Sequence, residues 1–410
     1  MQARVRTALF GLGMLAWTGL ARAIYTDPAE RLALGSSVRT IAAVYRPHHL
    51  PGAQTGGLGL TSLRVTADGK PAQWFAYELH GVEDVLTAPA AIPGVGFVEP
   101  ESERYRLAPL SSTWLEEGQV TARFWCDRAW VKYRLPGFDL TLGRQAVTFG
   151  KARFWNPLDV FLPFDPRQFD REYKLGVDAL RVDVPLGEAS GLTLVATPGR
   201  VDGGYPYRRS WYGSAVLGRG YTNLEGWDFT AQGGKVYGGY QLGGGFAGTL
   251  GPVELRGEAA EFLAIDDPRE PTDLGDHLLG VIGVGRLFDS SLNLQAEYLF
   301  NGAGSDHLNE AARRVAAGRA WQMSRHVLAA MVAYDFLPIL NGSFATLVSL
   351  SDGSCAFLPG LRYSVSDESD LLVGVLLGVG RRPRPGPPVT LRSEFGSYPD
   401  FYYLLYRVYF

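Results

Sequence analysis

FYYLLYRVYF, residues 401–410, ends the chain and decides how the rest of it is read. Tyr402, Leu404, Tyr406, Val408 and Phe410 share one face at period two, and Tyr403, Leu405, Arg407 and Tyr409 share the other. That period belongs to a strand, whose successive side chains point to opposite sides. About ten residues are enough for a tilted strand to cross a bilayer. One apolar face, one mixed face and aromatic ends describe a stave of a transmembrane β-barrel. The competing reading is the last strand of a soluble sheet.

The N-terminus argues for the barrel independently. Arg4 and Arg6 precede the apolar run Ala8–Leu20, and Ala21-Arg22-Ala23 follows as an A-x-A cleavage pattern. This is the layout of a secretory signal peptide over residues 1–23. No cysteine follows the cleavage site, so a lipid anchor there is not expected. Residues 24–410 are then one mature domain of 410 − 23 = 387 residues, and losing three arginines moves the formal charge from −3 to about −6. The terminal strand resembles the C-terminal targeting strand of bacterial outer-membrane proteins, which ends in an aromatic residue. The resemblance implies delivery to the outer membrane through the barrel-assembly machinery, with lipid and lipopolysaccharide as surroundings.

Composition agrees. Beyond Leu20 no run of 18 apolar residues occurs, which excludes helical spans. A barrel hides its apolar signal in alternation, so a hydrophobic content of 46% is compatible with one. Cys126 and Cys355 stand far apart and read first as lone strand cysteines, with a disulfide as the alternative. No CxxC, CxxCH or metal-spaced His/Cys cluster is present, so no cofactor is expected. The near-neutral charge carries no nucleic-acid footprint. Neither G-x-S-x-G nor H-E-x-x-H occurs, and the six histidines are scattered, so the chain does not read as an enzyme.

Counting back from Phe410 predicts about 16 strands, an even number as single-chain bacterial barrels require. The first three fall near 34–46, 58–66 and 72–80, with Asp68-Gly69 as the turn between the last two. Later pairs are 118–135 with 138–149, 173–184 with 191–198, 237–249 with the strand from Val253, 278–288 with 292–300, and 323–337 with 342–351. Strands around Phe357–Tyr363 and Leu371–Val379 precede the last. Short turns and long connections alternate along the chain, which places both termini on the short-turn, periplasmic side. The segment 199–236 is read as a long connection, with room for one more hairpin that would make 18 strands. The apolar face changes between Trp125 and Asp127, and Arg144 shares a face with Leu140 and Leu142. A charge facing lipid at mid-depth costs about 2–4 kcal/mol, so a bulge is expected here.

The most specific stretch is Leu142–Leu180, LGRQAVTFGKARFWNPLDVFLPFDPRQFDREYKLGVDAL. It holds Gly143-Arg144-Gln145, Asn156-Pro157-Leu158-Asp159, Phe164-Asp165-Pro166 and Gly176-Val177-Asp178. Over residues 118–184, at the Asp352-Gly353-Ser354 turn and at the last strand, the chain resembles the Gram-negative porin-like barrels that include alginate-export-like proteins. The resemblance implies a channel of 16 to 18 strands and names no solute. Prolines 157, 163 and 166 and phenylalanines 154, 161, 164 and 169 suit a loop that packs rather than one left in solvent. Loop 150–172 is therefore expected to fold inward as a constriction. The expected constriction and pore-lining residues are Arg144, Arg153, Asp159, Asp165, Arg167, Asp170, Arg171, Lys174, Arg181 and Asp183. Mixed charges across a narrow lumen set a transverse field that sorts solutes by charge.

The leading reading is a passive outer-membrane porin for small polar or charged solutes. Two others compete. One is a barrel sheath around a multihaem cytochrome, whose haem would come from that periplasmic partner. The other is an export channel for an alginate-like polysaccharide, against which stands the lack of a densely basic lumen.

Overall fold

A computed structural model describes residues 25–47, 54–88, 104–162, 172–199, 210–266, 274–316 and 318–410. The signal-peptide expectation for 1–23 lies outside them. In chain order the strands are β1 (Tyr25–Thr26), β2 (Ala33–Arg46), β3 (Gly56–Ala72), β4 (Phe75–Thr87), β5 (Ser111–Glu117), β6 (Val120–Leu135), β7 (Phe138–Gln145), β8 (Val177–Pro185), β9 (Gly191–Thr197) and β10 (Ala215–Leu224). They continue as β11 (Trp227–Val236), β12 (Gly239–Leu250), β13 (Val253–Ala264), β14 (His277–Leu287), β15 (Asn293–Asn301), β16 (His326–Leu337), β17 (Leu340–Ser349), β18 (Cys355–Ser366), β19 (Ser369–Val379) and β20 (Asp400–Tyr409). Among the described residues an α-helix, α1 (Leu308–Ala316), lies between β15 and β16.

Every strand pairs antiparallel with its neighbours, and β20 returns to β2, with Tyr409 opposite Ser37 and Asp400 opposite Arg46. The result is a closed barrel of 18 staves. The two-residue β1 pairs with β2, and β5 pairs with β6, outside that count. Closure removes the unpaired edges that a sheet of this size would otherwise present. Phe410 ends beside the seam, exchanging backbone hydrogen bonds with Ser36 at 2.7 and 3.1 Å.

Alternation sets the two faces. On β14 and β15, Leu278, Ile282, Val284 and Leu294 are exposed, while Gln295, Glu297, Leu299 and Asn301 are buried. The same exposed apolar face runs around the ring through Leu142, Leu194, Leu242, Val332, Val373 and Leu404. The opposite face lines the lumen. An apolar outside and a polar inside is the arrangement a lipid-embedded barrel requires. All connections on the end that carries Ala33 and Tyr409 are short: 73–74, 136–137, 186–190, 225–226, 251–252, 288–292, 338–339 and 367–368. The long ones, 88–119, 146–176, 198–214, 265–276, 302–325 and 380–399, leave and rejoin the wall at the other end.

Three expectations need correction. The barrel has 18 staves rather than 16, because 199–236 holds the hairpin β10–β11. Its turn is Glu225-Gly226, with φ of 52° and 83°. Two positive φ values in a two-residue loop make the primed turn whose twist suits a hairpin. The extra hairpin carries Trp227 to the short-turn end. Second, Asp68-Gly69 is no turn: β3 runs on to Ala72, and the chain reverses at Gln73-Trp74. Gly69 is glycine for another reason, since a Cβ there would sit 2.1 Å from the Arg31 carbonyl oxygen. Third, β5 occupies part of what read as one long connection, 81–117. The face change in β6 is a bulge, because Arg128 pairs with His80 and Cys126 with Gly81, leaving Asp127 as the additional residue. Both cysteines are free.

Candidate pore constriction

β7 has 8 residues where β6 has 16, so the wall beside upper β6 is left open for other segments. β5 and residues 104–110 fill that notch, while the chain after Gln145 leaves the wall. Its path is marked by what it touches. Glu258, buried on β13, accepts hydrogen bonds from the backbone N–H of Lys151, of Ala152 at 3.0 Å and of Leu158 at 3.3 Å. Glu297, buried on β15, accepts from the N–H of Arg153 and from Phe154 at 2.7 Å, and also binds Arg256 at 2.8 Å. Gln232 and Gln241, on β11 and β12, donate to the carbonyls of Leu158 and Pro157 at 2.7 and 2.9 Å. Lys151 pairs with Asp228 on β11. In ring order β15 stands eight places from β7, where nine of 18 would be diametrically opposite.

These contacts follow from local sequence. Successive N–H groups turned one way make a concave anion site, which a carboxylate fills because it only accepts. Gly150 starts the turn with φ of 88°, and a Cβ there would lie 2.9 Å from both Glu258 oxygens. Phe154 and Trp155 then pack with Leu299, Val327, Ala329 and Leu347 of the wall and with Ala311 of α1. Phe149 and Phe161 pack with Tyr105, Val195 and Leu217.

The returning arm lies elsewhere. Glu172 receives a hydrogen bond from the Tyr409 hydroxyl at 2.7 Å and lies 3.4 Å from Arg407, both on β20. Tyr173 lies against Arg39 of β2 and Arg64 of β3, 4.9 and 4.0 Å from its ring centre. Burial, with Glu172 beside it, pushes the Tyr173 hydroxyl above its ordinary pKa. Lys174 turns back to Asp159 at 2.5 Å and to the Val147 carbonyl at 2.6 Å, tying the two arms together. Burial raises the Asp159 carboxyl to about 6, with Lys174 pulling the other way, and lowers Lys174.

The expected site residues divide accordingly. Arg153 is exposed, and Arg181 and Asp183 form a half-buried pair at 2.8 Å on β8. Asp159 and Lys174 meet each other and are buried, so they brace the loop instead of lining the lumen. Arg144 needs correction as a lining residue. It is 1% exposed, forks onto Asp178 at 2.7 and 3.0 Å and donates to the Cys126 and Ala108 carbonyls at 2.8 and 2.6 Å. It closes the notch above β7. Gly143, with φ of 120°, precedes it, and a Cβ there would meet the Ala129 carbonyl at 2.2 Å. Asp165, Arg167, Asp170 and Arg171 lie outside the described residues. Tyr173, Arg39, Arg64, His80 and Asp127 were not anticipated. The face change at Trp125–Asp127 was the one signal that pointed toward them. Trp321 lines a cavity of ≈ 170 Å³ with Tyr105, Tyr212, Tyr237, Arg104 and Arg319, beside Pro157, Asp159, Val160 and Leu162. Among the described residues no His, Cys, Asp and Glu cluster is placed to hold a metal ion.

No protein-family pattern matches the sequence, and no curated protein resembles it. Solved structures do. The chain is similar to Acinetobacter baumannii OccAB1, at 10% identity and a TM-score of 0.59, over 95% of this chain and 99% of that one. It is similar to OccAB2 of the same organism, at 10% identity and 0.58, over 94% and 99%. Pseudomonas aeruginosa OccK2, crystallised with glucuronate, matches at 10% identity and 0.56, over 92% and 97%. At these identities the likeness is one of fold.

Proposed function

We propose that this barrel, built on the fold shared with those outer-membrane porins, is a passive outer-membrane channel for small polar or charged solutes. The loop 150–172 is its constriction, and the short turns and both termini face the periplasm. One observation carries the reading: an arm of the β7–β8 connection is hydrogen-bonded to lumen carboxylates almost opposite its origin. A segment so placed narrows the lumen, and the charges we assign to the remaining gap are Arg153, Arg181 and Asp183. Mixed signs at a narrow point sort solutes by charge and dipole. The same placement argues against a cytochrome sheath, which needs an unobstructed lumen, and against a polysaccharide exporter, which needs a wide one.

Single-channel conductance of a variant lacking 156–169 tests the reading. Higher conductance and weaker selectivity, measured as reversal potential in a salt gradient, are expected. Conductance and selectivity equal to those of the intact protein would sink it. Glucuronate, the sugar acid held by OccK2, is a suitable first solute for a current-block measurement.

A further inference from the structure

One buried polar group on the lumen wall has no part in the constriction described so far, and it touches the returning arm. His80 on β4 is 8% exposed. Its Nδ1 lies 3.1 Å from a guanidinium nitrogen of Arg64, and its Nε2 lies 2.9 Å from a Glu78 carboxylate oxygen. A guanidinium has donors only. Nδ1 is therefore the acceptor, and the ring proton sits on Nε2 and is donated to Glu78. Only the neutral ring satisfies both contacts. A second proton would have to enter at Nδ1, aimed at an Arg64 donor.

Arg64 comes from β3 and Glu78 from the same strand as His80. Asp127 and Arg128 come from β6, with Arg128 directly opposite His80. Asp127 already accepts Arg64 at 2.7 Å and Arg128 at 2.9 Å. From the loop, Tyr173 meets His80 edge-on at 6.3 Å between ring centres, with Arg39 beyond it. Arg64 and Arg128 balance Glu78 and Asp127 around the imidazole.

We propose that His80 is a positioning residue for the returning arm: its ring accepts from Arg64 and holds that guanidinium against Tyr173. The proposal rests on reading the loop as the constriction. Without the ring, Arg64 keeps Asp127 and turns from position 80, and Tyr173 loses its closer cation. Glu172 remains on Arg407 and Tyr409, so the arm loosens without leaving.

The test uses the full chain in planar bilayers, wild type against His80→Ala, His80→Phe and His80→Gln. A glutamine can accept from Arg64 and donate to Glu78; alanine and phenylalanine can do neither. His80→Ala and His80→Phe should raise open-channel noise and conductance, and His80→Gln should keep the wild-type trace. Amide exchange over 172–176 should be about tenfold faster in His80→Ala and His80→Phe than in the wild type, and close to the wild-type rate in His80→Gln. Traces or exchange rates in a conducting His80→Ala or His80→Phe equal to those of the wild type would overturn the role of His80 and leave the porin reading standing. A wild type that conducts no current would overturn both.

Discussion

Glu258→Ala removes the anchor on which the proposed constriction depends, and its effect can be worked from the contacts. Three N–H groups lose their acceptor: Lys151, Ala152 at 3.0 Å and Leu158 at 3.3 Å. A hydrogen bond to a charged group contributes about 1.5–3 kcal/mol net. The Leu158 bond is long, and Lys151 is exposed, so its N–H can turn to water. One full bond and two weakened ones give about 3 kcal/mol. At about 1.4 kcal/mol per tenfold, the undocked fraction of the arm rises roughly 100-fold. Alanine also removes the buried charge, so no orphaned carboxylate in the wall confuses the result. Glu254→Ala is the control: it shares strand and face with Glu258, but its contact is Arg256 at 3.5 Å and not the loop. Single-channel recording is the assay, with heat-modifiable gel migration to show an intact barrel. Glu258→Ala should show frequent excursions to a larger conductance, and Glu254→Ala should behave as wild type. Glu258→Gln should fall between, because one amide oxygen can accept but its NH₂ faces donors. Traces and reversal potentials alike in Glu258→Ala and Glu254→Ala would refute the anchor.

Gly150→Ala forces a left-handed φ and sets a Cβ 2.9 Å from the Glu258 oxygens, so it should reproduce the Glu258→Ala trace, and the double variant should add little, as for residues acting through one contact. The Asp159 carboxyl titrates at about 6 instead of its ordinary 3.8. A raised carboxyl favours the folded state most below its unfolded value, and that contribution is lost as pH rises through about 6. Acidification from neutral pH should therefore neutralise Asp159, leave Lys174 as an unbalanced cation and move the reversal potential toward anion selectivity, with no loss of stability from this group. Asp159→Asn should lack the step in a reversal-potential titration. Arg144→Ala takes the cation from Asp178, which keeps the Leu107 N–H at 2.6 Å, and the guanidinium donor from the Cys126 and Ala108 carbonyls, a loss of about 3 kcal/mol. It should lower the gel-shift melting temperature while barrels that survive keep wild-type conductance; altered conductance would return Arg144 to the lumen.

The architecture was legible wherever one face of a strand meets lipid. Residues 292–300 and 401–410 alternate because every second side chain must be apolar, and both appear within a residue or two of the expected bounds. The strands that escaped lack that regularity. In β10, Gly218, Arg219 and Gly220 interrupt the alternation, and the Glu225-Gly226 turn has a weaker signature than Asn-Gly or Asp-Gly. Gly69 misled for the converse reason. It is demanded by the close approach of Arg31, a contact distant in sequence, and local reading assigns a lone Asp-Gly to a turn.

The first arm of loop 150–172 was legible as a segment that packs and illegible as chemistry. Prolines and phenylalanines between 154 and 169 announce a loop that packs, because such residues are poor partners for water. Which of its charges face the lumen depends on what the loop docks against, and that partner lies more than a hundred residues away. Charged side chains near a packed loop are drawn first to one another and to orphaned backbone groups, since leaving either unpaired away from water costs more than any gain from lining a pore. Asp159 with Lys174, Arg144 with Asp178, and Glu258 with three N–H groups are all outcomes of that rule. The charges left to act on a solute are those whose neighbours are already satisfied. They are a minority of the charges a sequence displays, and the selectivity of such a channel is set by what remains after the loop has been held in place.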